Sequence, residues 1–358
     1  MSEVENRLAG NGGGDDILAA WAKLKEGEPT IRALDAAARL GITEAQLVAA
    51  RIGDGVRALA GPFGPLVERL PELGTVTVLT RNPWAVHEKT GRFGNVSVMG
   101  PMGLVLNAEI DLRLFLNRWR YGYAVEEATR SGLRTSLQFF AADGPAIHKI
   151  YLTEGSDMKA FETLVADFGD SRADRTLHVA KPAAASPDPA DEEIDVAKLH
   201  AGWDSLRDVH DFAALLRSVG AGRVQALRLA GPERARPVTP HAFRRALRAA
   251  SEGGVPIMIF VGNPGAIQIH TGPVNTQRDV GPWFNVLDPG FNLHLREDGI
   301  DSAWVVTKPT ADGPVTSLEI YDPEGMQIAL MFGQRKPGQV ERADWRALAS
   351  NLAETGRA

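Results

Sequence analysis

The ten residues NPWAVHEKTG at 82–91 return as NPGAIQIHTG at 263–272, 181 positions later. The offset then holds without a gap. Gly100-Pro101 matches Gly281-Pro282, Val105-Leu106 matches Val286-Leu287, and Leu112 and Leu114 match Leu293 and Leu295. The TSL at 135–137 matches that at 316–318, and Gly144 matches Gly325. Upstream the offset becomes 179 for Gly41 and Gln46 against Gly220 and Gln225, and 182 for Trp21 against Trp203. A near-constant offset over most of a chain marks a duplicated unit, so this sequence must fold as one architecture built twice.

Between the copies lies VAKPAAASPDPADEEIDVAK, 179–198, whose Pro, Ala and acidic residues read as a linker. The expected organisation is a flexible N-terminus at 1–15, a first repeat domain at 16–178, a linker at 179–194 and a second repeat domain at 195–358. Glycines 12–14 lack the Lys-Ser/Thr of a phosphate loop. Helical spacing predicts helices at 15–25, 31–40 and 44–52, then 196–207, 209–219 and 240–251, with closing helices at 156–168 and 342–353. The remainder alternates with period two between NP, TG, GP and DG turns, as in TVTVLT, NVSVMG and DLRLFLN. The expected class is α+β, two similar halves each with a large, mostly antiparallel sheet and flanking helices.

Composition narrows the function. Net charge is −6, so there is no basic footprint for nucleic acid or for an acidic membrane surface. No run reaches the eighteen or so apolar residues of a membrane span, and the polar N-terminus is not a secretory signal. The absence of cysteine excludes disulfides, thiol catalysis and cysteine-held metal, and fits a reducing, cytoplasmic setting.

The repeat also separates residues needed twice for folding from residues present once. His87 beside Glu88 invites a metal reading, but its partner is Gln268, and no H-E-x-x-H spacing follows. HEKTG and IHTG read instead as hairpin chemistry. His210, in SLRDVHDFAALLRSVG, stands opposite Ile31, so the helix recurs and only the imidazole is new. Asp208 is a plausible N-cap there. The positive end of the helix favours neutral imidazole, the metal-binding form. In EIDLRLFLN, Leu112, Leu114 and Leu116 share one strand face, while Asp111, Arg113, Phe115 and Asn117 share the other. An Arg two residues from a Phe can cover something flat and anionic. Three further bases reverse an acid of the first copy: Arg223 opposes Glu44, Lys308 opposes Glu127 and Arg335 opposes Glu154. The second copy thus gains positive charge.

Taken together, VHEKTG, EIDLRLF, LRDVHDF, QALRLAGP, IQIHTGPV, NVLDPGFNLHLRED, WVVTKPTADGPVTSLEIYDPEG and FGQRKPGQ resemble the cytoplasmic haemin-degrading, haem-utilisation family (HmuS-type proteins). The resemblance runs from about residue 16 to 354. It implies haem, iron protoporphyrin IX, bound in a cleft between the halves and used in iron acquisition. His210 would be the proximal iron ligand, and Arg113 with Phe115 would lie on the distal face. Arg223, Lys308 and Arg335 would surround the haem and its propionates. Some members carry a Tyr-Gln pair where this chain has Ala329 and Leu330, so any hydrogen bond from that pair is absent.

Two activities fit these residues. In one, Arg113 and His210 serve oxidative ring opening that releases iron, with electrons from an external donor protein, since no flavin or nicotinamide motif is present. In the other, the protein buffers haem and delivers it to a separate haem oxygenase. A repeat-built interaction scaffold is a third reading, and it predicts no Soret band with haemin.

Overall fold

A computed structural model of the chain describes residues 12–129, 132–183, 187–336 and 338–352. Most of the expected flexible N-terminus and positions 184–186 of the expected linker lie outside the described residues. Two compact units are present. The first comprises Met1–Arg81, Glu88–Ala183 and Asn263–Gln268; the second comprises Asn82–His87, Ala184–Gly262 and Ile269–Ala358.

In the first unit, helices α1 (Gly14–Gly27), α2 (Ala33–Leu40) and α3 (Glu44–Ala50) precede strand β1 (Val56–Leu59) and the short helix α4 (Gly64–Glu68). Strands follow as β2 (Gly74–Arg81), β3 (Ala85–Arg92), β4 (Val96–Met99), β5 (Met102–Leu106) and β6 (Asp111–Phe115). Next come β7 (Tyr121–Thr129), β8 (Gly132–Phe140), β9 (Ala146–Ser156) and helix α5 (Met158–Phe168). Antiparallel ladders join β1 to β7, β7 to β8, β8 to β9 and β9 to β2, while β4, β5 and β6 form a meander.

The second copy repeats this order. Helices α6 (Val196–Asp204), α7 (Phe212–Val219) and α8 (Arg223–Leu229) lead to β10 (Ala235–Val238) and α9 (Ala242–Glu252). Then come β11 (Ile257–Asn263), β12 (Ala266–Gly272), β13 (Gln277–Val280), β14 (Trp283–Asp288) and β15 (Phe291–Arg296). The copy ends with β16 (Ser302–Lys308), β17 (Val315–Tyr321), β18 (Gln327–Gly333) and α10 (Ala343–Ser350). Ladders β10–β16–β17–β18–β11 and β13–β14–β15 mirror those of the first unit. Among the described residues the strands make two antiparallel sheets of nine. The expected α+β duplication is therefore the observed class.

Local chemistry explains why both copies fold alike. Gly41 and Gly220 end α2 and α7 with φ of 65° and 71°, a left-handed cap that glycine adopts without a steric penalty. The Gln46 side chain accepts a hydrogen bond from the Thr43 backbone N–H (2.9 Å), and that of Gln225 accepts one from Gly222 (3.4 Å). Leu112, Leu114, Leu293 and Leu295 are fully buried, so the period-two reading of β6 and its copy holds.

The repeated Asn-Pro turn does more than reverse the chain. The Asn82 side-chain oxygen accepts from the backbone N–H groups of Trp84 (3.0 Å) and Ala85 (2.9 Å). Its amide donates to the carbonyls of Gly262 (3.1 Å) and Ile328 (2.8 Å), all within the second unit. Asn263 does the same in the first unit, accepting from Gly265 and Ala266 and donating to Arg81 and Ile147. Each amide is thereby saturated. Accordingly Ala85 and Trp84 pack in the core with Phe243, Leu293 and Trp345, whereas Ala266 packs with Leu112, Phe139 and Ile150.

One local expectation changes, and two short helices are added. HEKTG and IHTG are not turns but lie inside β3 and β12, with His87 and His270 buried. Gly91 is there for close approach: a Cβ would stand 2.4 Å from Cβ of Glu109. A seven-residue helix, α8, matches α3. Pro65 opens α4 rather than breaking it, since the first turn has no need of its N–H.

Two measurements test this account. Asn82→Ala leaves two carbonyls and two N–H groups without their partner, and should destabilise the protein by about 2–4 kcal/mol in denaturant unfolding. A loss under roughly 0.5 kcal/mol would remove the turn from the set of structural determinants. His148, buried in the first unit with Nδ1 at 2.9 Å from the Thr80 hydroxyl, has its pKa pushed down to about 3 by burial. Its folded pKa lies below the unfolded one, so the unfolded chain takes up the proton first. Stability is then lost as pH falls from about 6.5 toward 3, by at most about 5 kcal/mol. His148→Phe should flatten the stability curve between pH 7 and pH 4; parallel curves would contradict it.

Candidate functional site

The turn carrying His210 is built from below. Trp203 of α6 is fully buried, donates from Nε1 to the Thr307 carbonyl (2.9 Å) and meets Phe212 edge to face at 4.6 Å. Phe212 opens α7 and lies beneath two cations: Lys308 Nζ is 4.6 Å from its ring centre and Arg223 Cζ is 5.2 Å away. The carboxylate of Glu319, also fully buried, holds both bases. One oxygen accepts from Lys308 Nζ (2.8 Å) and the Ser317 hydroxyl (2.7 Å). The other accepts from Arg223 Nε (3.2 Å), Arg223 Nη2 (2.9 Å) and the Tyr321 hydroxyl. Burial drives this carboxyl upward, but the two adjacent cations outweigh it, so Glu319 sits well below the ordinary carboxylate range and stays ionised.

The first unit has the same device, one carboxylate held by two cations, with the acid on the helix instead of the strand. There Glu44, on α3 where the second copy has Arg223, accepts from Lys149 Nζ (2.6 Å) and from Arg81. Burial raises the Glu44 carboxyl, and Lys149 and Arg81 bring it below its usual range. The gain of positive charge inferred from the repeat is thus partly balanced. At the 181 offset Glu319 stands opposite Gln138, a comparison that would have exposed the new acid.

On this platform the chain makes a short 3-10 turn, Val209–Asp211, before α7 begins at Phe212. Asp208 caps that turn and not the α-helix, whose N-cap Asp211 makes no side-chain bond. Oδ1 of Asp208 accepts from the His210 backbone N–H at 2.8 Å and from Nδ1 of its ring at 2.5 Å. The His210 backbone N–H, opposed by partial burial and helped by the ring, keeps the Asp208 carboxyl below its ordinary range. The carboxylate therefore sets the tautomer: Nδ1 carries the proton, and Nε2 is left as the lone-pair nitrogen. The His210 side chain is 88% exposed, which leaves that nitrogen accessible.

Arg335 belongs to the same loop cluster. It lies 4.0 Å from Asp312 and adds to the field that lowers Asp208. Ala311 N–H donates to the Arg207 carbonyl (2.9 Å) and Gly338 N–H donates to Asp312 (3.0 Å), tying the loops together. The second unit thus brings together His210 and Arg335 at the surface, with Arg223 and Lys308 enclosed beneath. Arg113 and Phe115 belong to the first unit. Arg113, half-buried on β6, pairs with Asp111 and donates to the Leu112 carbonyl (3.2 Å). The Phe115 backbone N–H donates to Gly265 (3.0 Å).

Ala329 and Leu330 lie in β18, Ala329 fully buried. His87 and His270 meet the Phe291 ring at 5.0 and 3.7 Å, within the second unit's core. A cleft of about 280 Å³ lined by Arg234, Arg236 and Arg346 contains none of the sequence candidates. Among the described residues no three His, Asp or Glu side chains converge as a metal site, and no helix is long and apolar enough to cross a membrane.

The chain is thus a duplicated α+β protein that presents an exposed imidazole, that of His210, hydrogen-bonded to a carboxylate. The family model "Haemin-degrading HemS.ChuX domain" matches residues 41–168 and 220–352, and the chain belongs to that family. The hemin transport protein HmuS of Yersinia pestis is 38% identical over 339 residues, 94% of this chain and 97% of that protein. The crystal structure of holo-PhuS, a heme-binding protein from Pseudomonas aeruginosa, superposes with a TM-score of 0.93 at 45% identity, covering 96% of this chain and all of that one. ChuS, an Escherichia coli heme oxygenase, gives a TM-score of 0.85 at 36% identity over 94% and 99% of the two chains.

Glu319→Gln would leave buried Lys308 and half-buried Arg223 without a counter-charge. It should cost roughly 3–5 kcal/mol in denaturant unfolding. Unfolding curves that coincide with wild type would show that the two cations need no carboxylate.

Proposed function

We propose that this protein binds haem through Nε2 of His210 and opens the ring oxidatively, releasing iron for acquisition. The observation that carries the reading is the His210–Asp208 pair, an exposed imidazole whose other nitrogen is already engaged. Family membership and the haem-related relatives support it. Haem, when bound, supplies the iron and the oxygen chemistry that attacks its own macrocycle.

The protein's part is to hold and orient. His210 would ligate the iron while Phe212, held under Lys308 and Arg223, fixes the turn that presents it. Arg335 would offer a guanidinium to a propionate, a charge-assisted and geometrically specific contact. Arg223 and Lys308, spent on Glu319, would act mainly through this support. Arg113, now paired with Asp111, would supply a hydrogen-bond donor on the distal side, and Phe115 would cover the flat ring. An external electron donor is required, and we infer a cytoplasmic setting from the cysteine-free chain.

A second reading is a carrier that hands haem to a separate oxygenase. The high exposure of His210 favours it, because an accessible ligand is easily surrendered.

Purified protein mixed with haemin, then given reductant and catalase in air, separates the two. Loss of the shifted Soret band with iron release and a bilin-like spectrum identifies the enzyme; a persistent band identifies the carrier. His210→Ala should weaken haemin binding at least tenfold or change the ligation spectrum, whereas exposed His241→Ala should do neither. Equal spectra and affinity for both variants would defeat the ligand assignment. Arg113→Ala should keep haem and slow turnover tenfold or more; undiminished turnover would remove it from the reaction.

A further inference from the structure

Asp208, like His210, is new to the second copy at this turn. At the offset of 179 that aligns α2 with α7, His210 stands opposite Ile31 and Asp208 opposite Pro29. At these two positions the first copy has neither an imidazole nor a carboxylate, and α2 has no side-chain cap at its N-terminus. The helix therefore forms without Asp208, which leaves its hydrogen bond to the ring to be explained by something other than folding.

We propose that Asp208 is a positioning residue for His210, whose carboxylate strengthens Nε2 as a donor and favours ferric over ferrous iron in bound haem. This rests on His210 being the iron ligand. The geometry supplies the reason. One oxygen, Oδ1, holds the backbone N–H at 2.8 Å and Nδ1 at 2.5 Å, so ring and turn are fixed by the same atom. A neutral acceptor would set the tautomer equally well. A charged one also pushes electron density through the ring toward the opposite nitrogen, and a more basic axial ligand stabilises the higher oxidation state. The Asp208 hydrogen bonds run to the backbone and ring of His210, so its effect on the iron would pass through the imidazole.

The test uses the full-length protein loaded with haemin. Asp208→Asn keeps an oxygen able to cap the turn but removes the charge. It should retain a wild-type-like ferric Soret band, yet its preference for ferric iron should fall about tenfold, a rise of 59 mV in a one-electron midpoint. The iron–imidazole stretch of the ferrous form should move to lower frequency. Asp208→Glu should recover part of both shifts. Midpoint and stretch equal to wild type in Asp208→Asn, with both altered in His210→Ala, would overturn the role of Asp208 alone. Wild-type values in His210→Ala would overturn the ligand assignment, and this inference with it.

Discussion

One buried carboxylate organises the second unit's surface. Glu319 has no exposed atoms to solvate, and an isolated charge in such a place would cost several kcal/mol or be lost by protonation. It is kept ionised by Lys308 and Arg223, which come from β16 and α8 and so pull strand and helix together. The aromatic ring that both cations cover is Phe212, two residues after His210. An electrostatic requirement deep in the sheet is thus passed to the surface as a fixed starting point for α7.

The DVHDF segment becomes legible residue by residue in this light. Asp208 closes the turn and holds the ring nitrogen. His210 projects into solvent, and Phe212 anchors the other end under two cations and against Trp203. A polar tip on an apolar, cation-covered root gives an imidazole that is both accessible and directed. Accessibility alone would allow many rotamers, and burial alone would exclude a large planar ligand.

What the sequence made readable was local or repeated. The duplication was visible because Asn-Pro turns and alternating leucines recur at constant offset. His210 stood out because its partner is Ile31. The network around Glu319 was not readable in the same way. Its members lie 96 and 11 residues apart, and only the fold puts Arg223, Lys308 and Tyr321 around one oxygen pair. The 3-10 turn was taken for helix because Asp208 and Asp211 are both good capping residues. HEKTG was taken for a turn because Thr-Gly usually marks one, whereas Gly91 serves the close passage of Glu109. Local signals name an element; they do not reveal which side chain will crowd it.

The saturated amides of Asn82 and Asn263 have a consequence for how such a chain can be divided. Each unit finishes its core with six residues encoded in the opposite copy, 82–87 in one case and 263–268 in the other. Cut within the linker, either half would be short of six residues of its own unit and would lack the side-chain amide that serves four of its backbone groups. Kept in one polypeptide, each copy retains that segment while its other positions differ. The imidazole on one side, with plain isoleucine on the other, is one such difference.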